Sequence, residues 1–239
     1  MPMVFFYIIE IVLLLSVALA GSFFLSKANQ TTDKYKTTLP EINKSSVEIA
    51  KHLLNNTITK DVDVVKFDGK KSNYYNSKYK AIKLSSEVYE SHSMYAICLS
   101  AYLASQAILD FKGNLLVKSK WFYKPIITIV SFIQLPVLLI CAILHSSNII
   151  PNVIFTLNLT VLIAYAVSLI FVLLIIPTKI STKKMALELL KKSNALSENE
   201  LKIANDIINS IILKEFSMFT SLLFQFIFFA GPAKIYEKK

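Results

Sequence analysis

Apolar residues along this chain fall into long uninterrupted blocks, separated by polar stretches of shorter periodicity. Residues Val4 to Leu25 are apolar apart from Glu10 and two serines, and about 20 such residues in a helix cross the hydrocarbon core of a bilayer. The block predicts a membrane anchor over residues 1–26. Ala18, Leu19 and Ala20 ahead of Gly21 also form a small-residue pattern of the kind a signal peptidase cleaves. Against that alternative, no basic residue precedes the block and the apolar run resumes at Phe23, Phe24 and Leu25. Two further uncharged blocks, Pro125 to Leu144 and Val153 to Ile176, flank a polar turn from His145 to Asn152. Together they predict a transmembrane hairpin over residues 125–176, with Pro136 kinking its first arm. Phe216 to Ala230 is shorter than a comfortable span and follows Lys214 and Glu215, so it predicts either a fourth span or an interfacial helix.

The region between anchor and hairpin, residues 27–124, carries the patterns of a small folded portion. Ser46 to Leu54 places Val47, Ile49, Ala50, Leu53 and Leu54 at helical spacing. Asp61 to Phe67 alternates as a short strand that Asp68 and Gly69 end, and Lys80 to Leu84 alternates more weakly as a second. Ser93 to Leu109 is the clearest helix outside the apolar blocks: Ser91 or Ser93 can cap it, and Met94, Ile97, Cys98, Ala101 and Tyr102 form one apolar stripe. Beyond the hairpin, residues 177–239 predict two helices, Thr182 to Lys192 and Ser197 to Leu213, broken at Ser193 and Asn194. The second opens on a capping box, Ser197 with Glu200.

Composition changes this picture only at the margins. With 54% apolar residues the chain is unlike an ordinary soluble globule. Its net charge of +10 comes entirely from lysine, with no arginine. Lysines cluster beside apolar blocks, and the bidentate arginine readers of phosphate and guanine are missing, so the charge points to lipid rather than nucleic acid. Lys27, the group Lys118, Lys120 and Lys124, and the group Lys179, Lys183 and Lys184 flank the spans, whereas the hairpin turn is uncharged. The positive-inside rule then predicts a multi-pass cell-membrane protein with its lysine-rich portions in the cytoplasm and its N-terminus outside. The lysines of the C-terminal tail also favour the cytoplasm, and with it an interfacial last segment. Cys98 and Cys141 lie in separate predicted helices and read as small buried hydrophobes.

Three strings carry a resemblance to a known family: Ala81-Ile82-Lys83-Leu84-Ser85-Ser86-Glu87-Val88-Tyr89, Ile176-Pro177 with Met185-Ala186-Leu187-Glu188-Leu189-Leu190, and Leu196-Ser197-Glu198-Asn199-Glu200-Leu201-Lys202. In these strings and in element order the chain resembles the YugP-like neutral zinc metallopeptidases of bacterial membranes, over nearly its whole length. The resemblance implies an active-site helix bearing HExxH, in which two histidines one turn apart bind zinc and a glutamate activates water. The matching stretch here is Tyr102-Leu103-Ala104-Ser105-Gln106. An acidic ligand is implied after Ile176-Pro177, where this chain has Lys179, Ile180 and Ser181. His52, His92 and His145 are the only histidines, and the local group Glu87, Glu90 and His92 fits no usual zinc spacing. No glycine-rich phosphate loop is present.

The fold class that follows is a membrane α+β protein, mostly helical, with three or four transmembrane helices and a small cytoplasmic peptidase-like portion whose degenerate active-site helix spans residues 93–110. No catalytic residue, metal or other cofactor is expected. The function expected is that of a pseudo-peptidase binding a membrane protein or peptide, besides the lipids around it. The rivals are an active divergent zinc peptidase and a structural membrane protein unrelated to peptidases. Tyr75, Ile82, Tyr102 and Gln106 are the expected binding face: Tyr74 and Tyr75 as turn aromatics, Tyr102 and Gln106 one turn apart on the helix. The strand string from Ala81 to Ser85 is expected to pair with a bound peptide through its main chain. Glu10, costly within a span, reads as a snorkelling side chain near the end of the anchor.

Overall fold

The computed structural model describes residues 2–55, 57–68, 73–118, 129, 136 and 151–236. In chain order they form helix α1 (Pro2–Lys36), α2 (Ser46–Asn55), strands β1 (Asp63–Phe67), β2 (Tyr74–Asn76) and β3 (Ala81–Ser85), a single turn α3 (Ser86–Tyr89), α4 (Met94–Phe111), α5 (Pro151–Lys192) and α6 (Glu198–Tyr236). The predicted hairpin's first arm, from Pro125 to Leu144, and its turn lie outside the described residues, apart from isolated positions. The chain divides into two compact units. One comprises Met1–Phe24, Phe122–Leu173 and Glu215–Lys239, the other Leu25–Trp121 and Leu174–Lys214.

The described residues of the first unit form apolar helix segments. On α5 the buried positions Val161, Tyr165, Ser168, Leu169 and Val172 recur at helical spacing, while Ile163, Val167, Ile170 and Leu173 on the other side are exposed. A helix that is apolar on both its buried and its outward face is matched to lipid rather than to water. Ile11, Val12, Leu15, Leu19 and Phe23 of α1 are exposed in the same way. Segments of α1 and α6 meet closely at Gly21: a Cβ placed there would lie 2.5 Å from Thr220 Oγ1. One residue-turn away, Phe24 and Phe216 approach with ring centroids 6.3 Å apart. Small residues that let backbones approach are what helix packing in lipid favours.

The second unit holds the sheet and α4. The strand order is β1-β3-β2, with β1 parallel and β2 antiparallel to the central β3. Val64, Ile82 and Tyr75 are paired across the three strands and all are buried, forming one inward row. β2, β3 and α2 all pack against α4, whose fifteen buried residues out of eighteen make it the unit's core. Ser93 caps α4 by accepting from Ala96 N–H at 3.2 Å, and Met94 N–H donates to Thr38 C=O at 2.8 Å, so two of the otherwise orphaned first-turn donors are satisfied. α2 starts equally firmly: Ser46 N–H donates to Ser91 C=O at 2.9 Å, and its hydroxyl donates to Val88 C=O.

Three expectations from local pattern are corrected. The expected third span and the helix after it are one 42-residue helix, α5, running through Pro177. A proline removes only one main-chain donor, and the neighbouring turns hold. The expected helix from Ser197 and the apolar segment from Phe216 are likewise one 39-residue helix, α6, because Lys214 and Glu215 are good helix formers and do not break it. Tyr74 and Tyr75 are not in a turn but in β2, which three residues and their pairing with β3 suffice to form.

Among the described residues, four helical segments are long and apolar enough to cross a membrane: Ile11–Lys36, Met94–Phe111, Leu159–Lys192 and Glu198–Phe228. Burial separates them. The apolar window of α4 is 83% buried inside the protein, against 6% for that of α1, so α4 spends its apolar surface on the core. The result is a mostly helical α+β membrane protein with one small mixed sheet.

Candidate functional site

The stretch Tyr102 to Gln106 occupies the buried middle of α4. Tyr102 is 2% exposed, Gln106 5%, Leu103 3% and Ala104 and Ser105 0%. Ser105 spends its hydroxyl on Ala101 C=O at 2.8 Å, as Ser100 does on Ala96 C=O. Met94, Ile97, Cys98 and Ala101, predicted to share the apolar stripe with Tyr102, are buried as well.

The four residues of the expected binding face lie on β2, β3 and α4. Tyr75, Ile82, Tyr102 and Gln106 are all interior, because the inward row of the sheet is laid onto α4. They form part of a packed core rather than an open cleft. The string from Ala81 to Ser85 is the central strand, hydrogen-bonded on both sides by β1 and β2, so its main-chain groups are already used within the sheet.

The donor chemistry does not fit zinc. The metal's usual ligands are imidazole, thiolate and carboxylate, whereas the stretch that the resemblance sets against HExxH offers a phenol at Tyr102, an amide at Gln106 and the apolar Leu103. Lys179, at the place implied for an acidic ligand, is 5% exposed and carries the wrong charge for a metal partner. Among the described residues no group of three or more His, Cys, Asp or Glu side chains is arranged to hold a metal ion. His92 and Glu87 are exposed, Glu90 pairs with Lys66 at 3.2 Å on the surface, and His145 lies outside the described residues.

The structure adds a residue that the pattern of the sequence left unremarked. Asp110, two turns beyond Tyr102, is 5% exposed, and its Oδ2 accepts a hydrogen bond from the Tyr75 hydroxyl at 2.8 Å. Its other oxygen, Oδ1, is sealed from solvent with no hydrogen-bond partner among the described residues. Burial, reinforced by Asp110, pushes the Tyr75 phenol well above its ordinary value, since both disfavour a phenolate. The available signal was the spacing: Tyr102, Gln106 and Asp110 recur every fourth residue and so share a face of α4.

A membrane protein whose small mixed sheet lies on a buried central helix is the class these elements define. A family model described as "Putative neutral zinc metallopeptidase" matches residues 7–227, and the chain belongs to that family. Nothing matches it among curated proteins or among solved structures.

Proposed function

We propose that this chain is a non-catalytic member of its family, a membrane pseudo-peptidase that keeps the scaffold without the metal chemistry. The observation carrying this reading is the content of α4: Tyr102, Leu103 and Gln106, which the resemblance sets against two zinc ligands and a general base, lie inside a packed core. A metallopeptidase needs a zinc-bound water and a carboxylate to take its proton. These side chains supply neither.

Its role would then be to bind a membrane protein or peptide segment from the cytoplasmic side, where the lysine-rich portions are assigned by the positive-inside rule. Because Tyr75, Ile82, Tyr102 and Gln106 are interior, the surface available to a partner is the outer edge of β1. That strand pairs only with β3 among the described strands and exposes Val65 at its centre. An unpaired edge can accept an extended segment through its main chain with no metal or base involved.

Purified full-length protein in lipid nanodiscs tests the chemistry: metal analysis finds no stoichiometric zinc, and a mixed peptide library is left uncut with zinc added. One tightly held zinc per chain, or cleavage lost on chelation, would establish the rival reading of a divergent active enzyme. Photocrosslinking in native membranes tests the role, with a label at position 65 capturing protein while labels at 82 and 102 do not. Lipid alone captured at position 65 would remove β1 as a docking edge.

A further inference from the structure

Between Asp68 and Glu87 the chain carries Lys70, Lys71, Lys78, Lys80 and Lys83 and no acidic residue, with Tyr74, Tyr75 and Tyr79 interleaved. The described part of this stretch is the hairpin of β2 and β3, at the edge of the sheet opposite β1. Main-chain groups fix its turn. Asn76 Oδ1 accepts from Lys78 N–H at 3.0 Å and from Tyr79 N–H at 3.3 Å, and Lys80 C=O accepts from Asp63 N–H at 3.1 Å. Lys78, Tyr79 and Lys80 all stand exposed on this turn, Tyr79 by 62%.

Aromatic rings lie beside these ammonium groups. Lys80 Nζ is 5.0 Å from the ring centroid of Phe111, Lys83 Nζ is 5.1 Å from that of Phe67 and 5.9 Å from that of Tyr74, and Lys78 Nζ is 5.5 Å from that of Tyr79. A ring attracts a cation without cancelling its charge. Among the described residues neither Lys80 nor Lys83 joins a carboxylate in an ion pair, so both remain available to an outside anion. Lysine beside tyrosine suits the headgroup region of a bilayer, where the polar tips meet water and phosphate and the ring meets the acyl boundary. Two features favour a lipid surface over an acidic protein as that anion. The hairpin's unit continues into the unit of apolar helix segments at Leu25, Trp121, Leu174 and Lys214, which keeps a leaflet at high effective concentration. The cytoplasmic leaflet, on the side to which the lysine-rich portions are assigned, is also the anionic one.

We propose that the β2–β3 turn, through Lys78, Tyr79, Lys80 and Lys83, docks onto anionic lipid headgroups of the cytoplasmic leaflet. The site goes beyond the pseudo-peptidase reading and does not depend on the loss of peptidase chemistry. It leaves the outer edge of β1, on the far side of β3, open to a protein segment.

Full-length protein with a fluorophore at position 77, introduced through Ser77→Cys, is placed in nanodiscs holding a lipid with a nitroxide on its headgroup. The signal of label on the native cysteines is subtracted using the parent protein. Discs of phosphatidylcholine are compared with discs that also contain phosphatidylserine. Quenching at position 77 rises with phosphatidylserine and falls again in high salt, which screens exposed charge. Each lysine near an anionic surface changes the docked population about fivefold. Lys80→Gln therefore lowers the quenching, and Lys78→Gln, Lys80→Gln and Lys83→Gln together abolish its dependence on phosphatidylserine. The same loss of charge at Lys51, Lys60 and Lys202, exposed elsewhere, leaves the quenching unchanged. Tyr79→Ser weakens docking and keeps its salt dependence. Helical signal and gel filtration check that each variant is folded. Quenching indifferent to phosphatidylserine, or lost equally in the two triple variants, would overturn the site. So would capture of protein in place of lipid by a photoreactive residue at 79 in native membranes. Zinc content of the same preparations tests the pseudo-peptidase reading separately.

Discussion

The Glu200 carboxylate accepts from the main-chain N–H of Glu41 at 2.7 Å, across 159 positions of sequence. Its second oxygen accepts from Ser197 N–H at 2.8 Å and from the Ser197 hydroxyl at 3.1 Å. One side chain therefore closes the capping box of α6 and fastens the segment that follows α1.

Glu200→Ala is expected to lose both functions. A capping interaction is worth about 1 kcal/mol and a hydrogen bond to a charged group about 1.5–3 kcal/mol, so a loss of about 2.5–4 kcal/mol is expected. Thermal unfolding in mild detergent, together with faster proteolysis after Lys44, measures it. Glu200→Gln keeps an acceptor and recovers part of the loss. Equal stability of all three proteins would show that the contact to Glu41 carries no weight.

Gly21 is expected to tolerate no larger residue while Thr220 faces it, because a Cβ at Gly21 meets Thr220 Oγ1 at 2.5 Å. Cysteines introduced at 24 and 216 report the approach of these helix segments by disulfide crosslinking. Gly21→Ala slows the crosslink, and the double change Gly21→Ala with Thr220→Ala restores it, since the next contact, Thr220 Cβ at 3.4 Å, is ordinary. Absence of rescue would mean that the glycine acts through something other than this clash.

The Tyr75 phenol, raised by burial and by Asp110, has a definite consequence at high pH. Its folded value exceeds the unfolded value of about 10, so its contribution to stability is complete below that pH and declines as pH rises through the window above it. Wild-type protein should lose stability above about pH 10 more steeply than Tyr75→Phe. Parallel stability curves for the two proteins would contradict the assignment.

Sidedness is testable by cysteine labelling in intact cells. Single cysteines at 60 and at 79, the latter replacing a tyrosine 62% exposed, should be protected from an impermeant reagent and react after permeabilisation. A cysteine at 148 should react from outside. The reverse pattern would invert the topology.

Much of the membrane architecture was legible in the residues themselves. An apolar block in lipid must satisfy its backbone internally, so its length alone predicts a helix. The Ser93 cap and the stripe of α4 were legible for a similar reason, since both are relations between residues within four positions of one another. Local pattern could not decide whether α5 continues past Pro177 or α6 past Lys214, because each break is a small local cost set against packing along the whole helix. Nor could it decide that Tyr75 belongs to a strand, which exists only through its pairing with β3. The inward turn of Tyr75, Ile82, Tyr102 and Gln106, and the meeting of Tyr75 with Asp110 across 35 positions, belong to the tertiary structure alone: burial and long-range hydrogen bonds depend on which surfaces the sheet and α4 bring together, and no single stretch of sequence contains both surfaces.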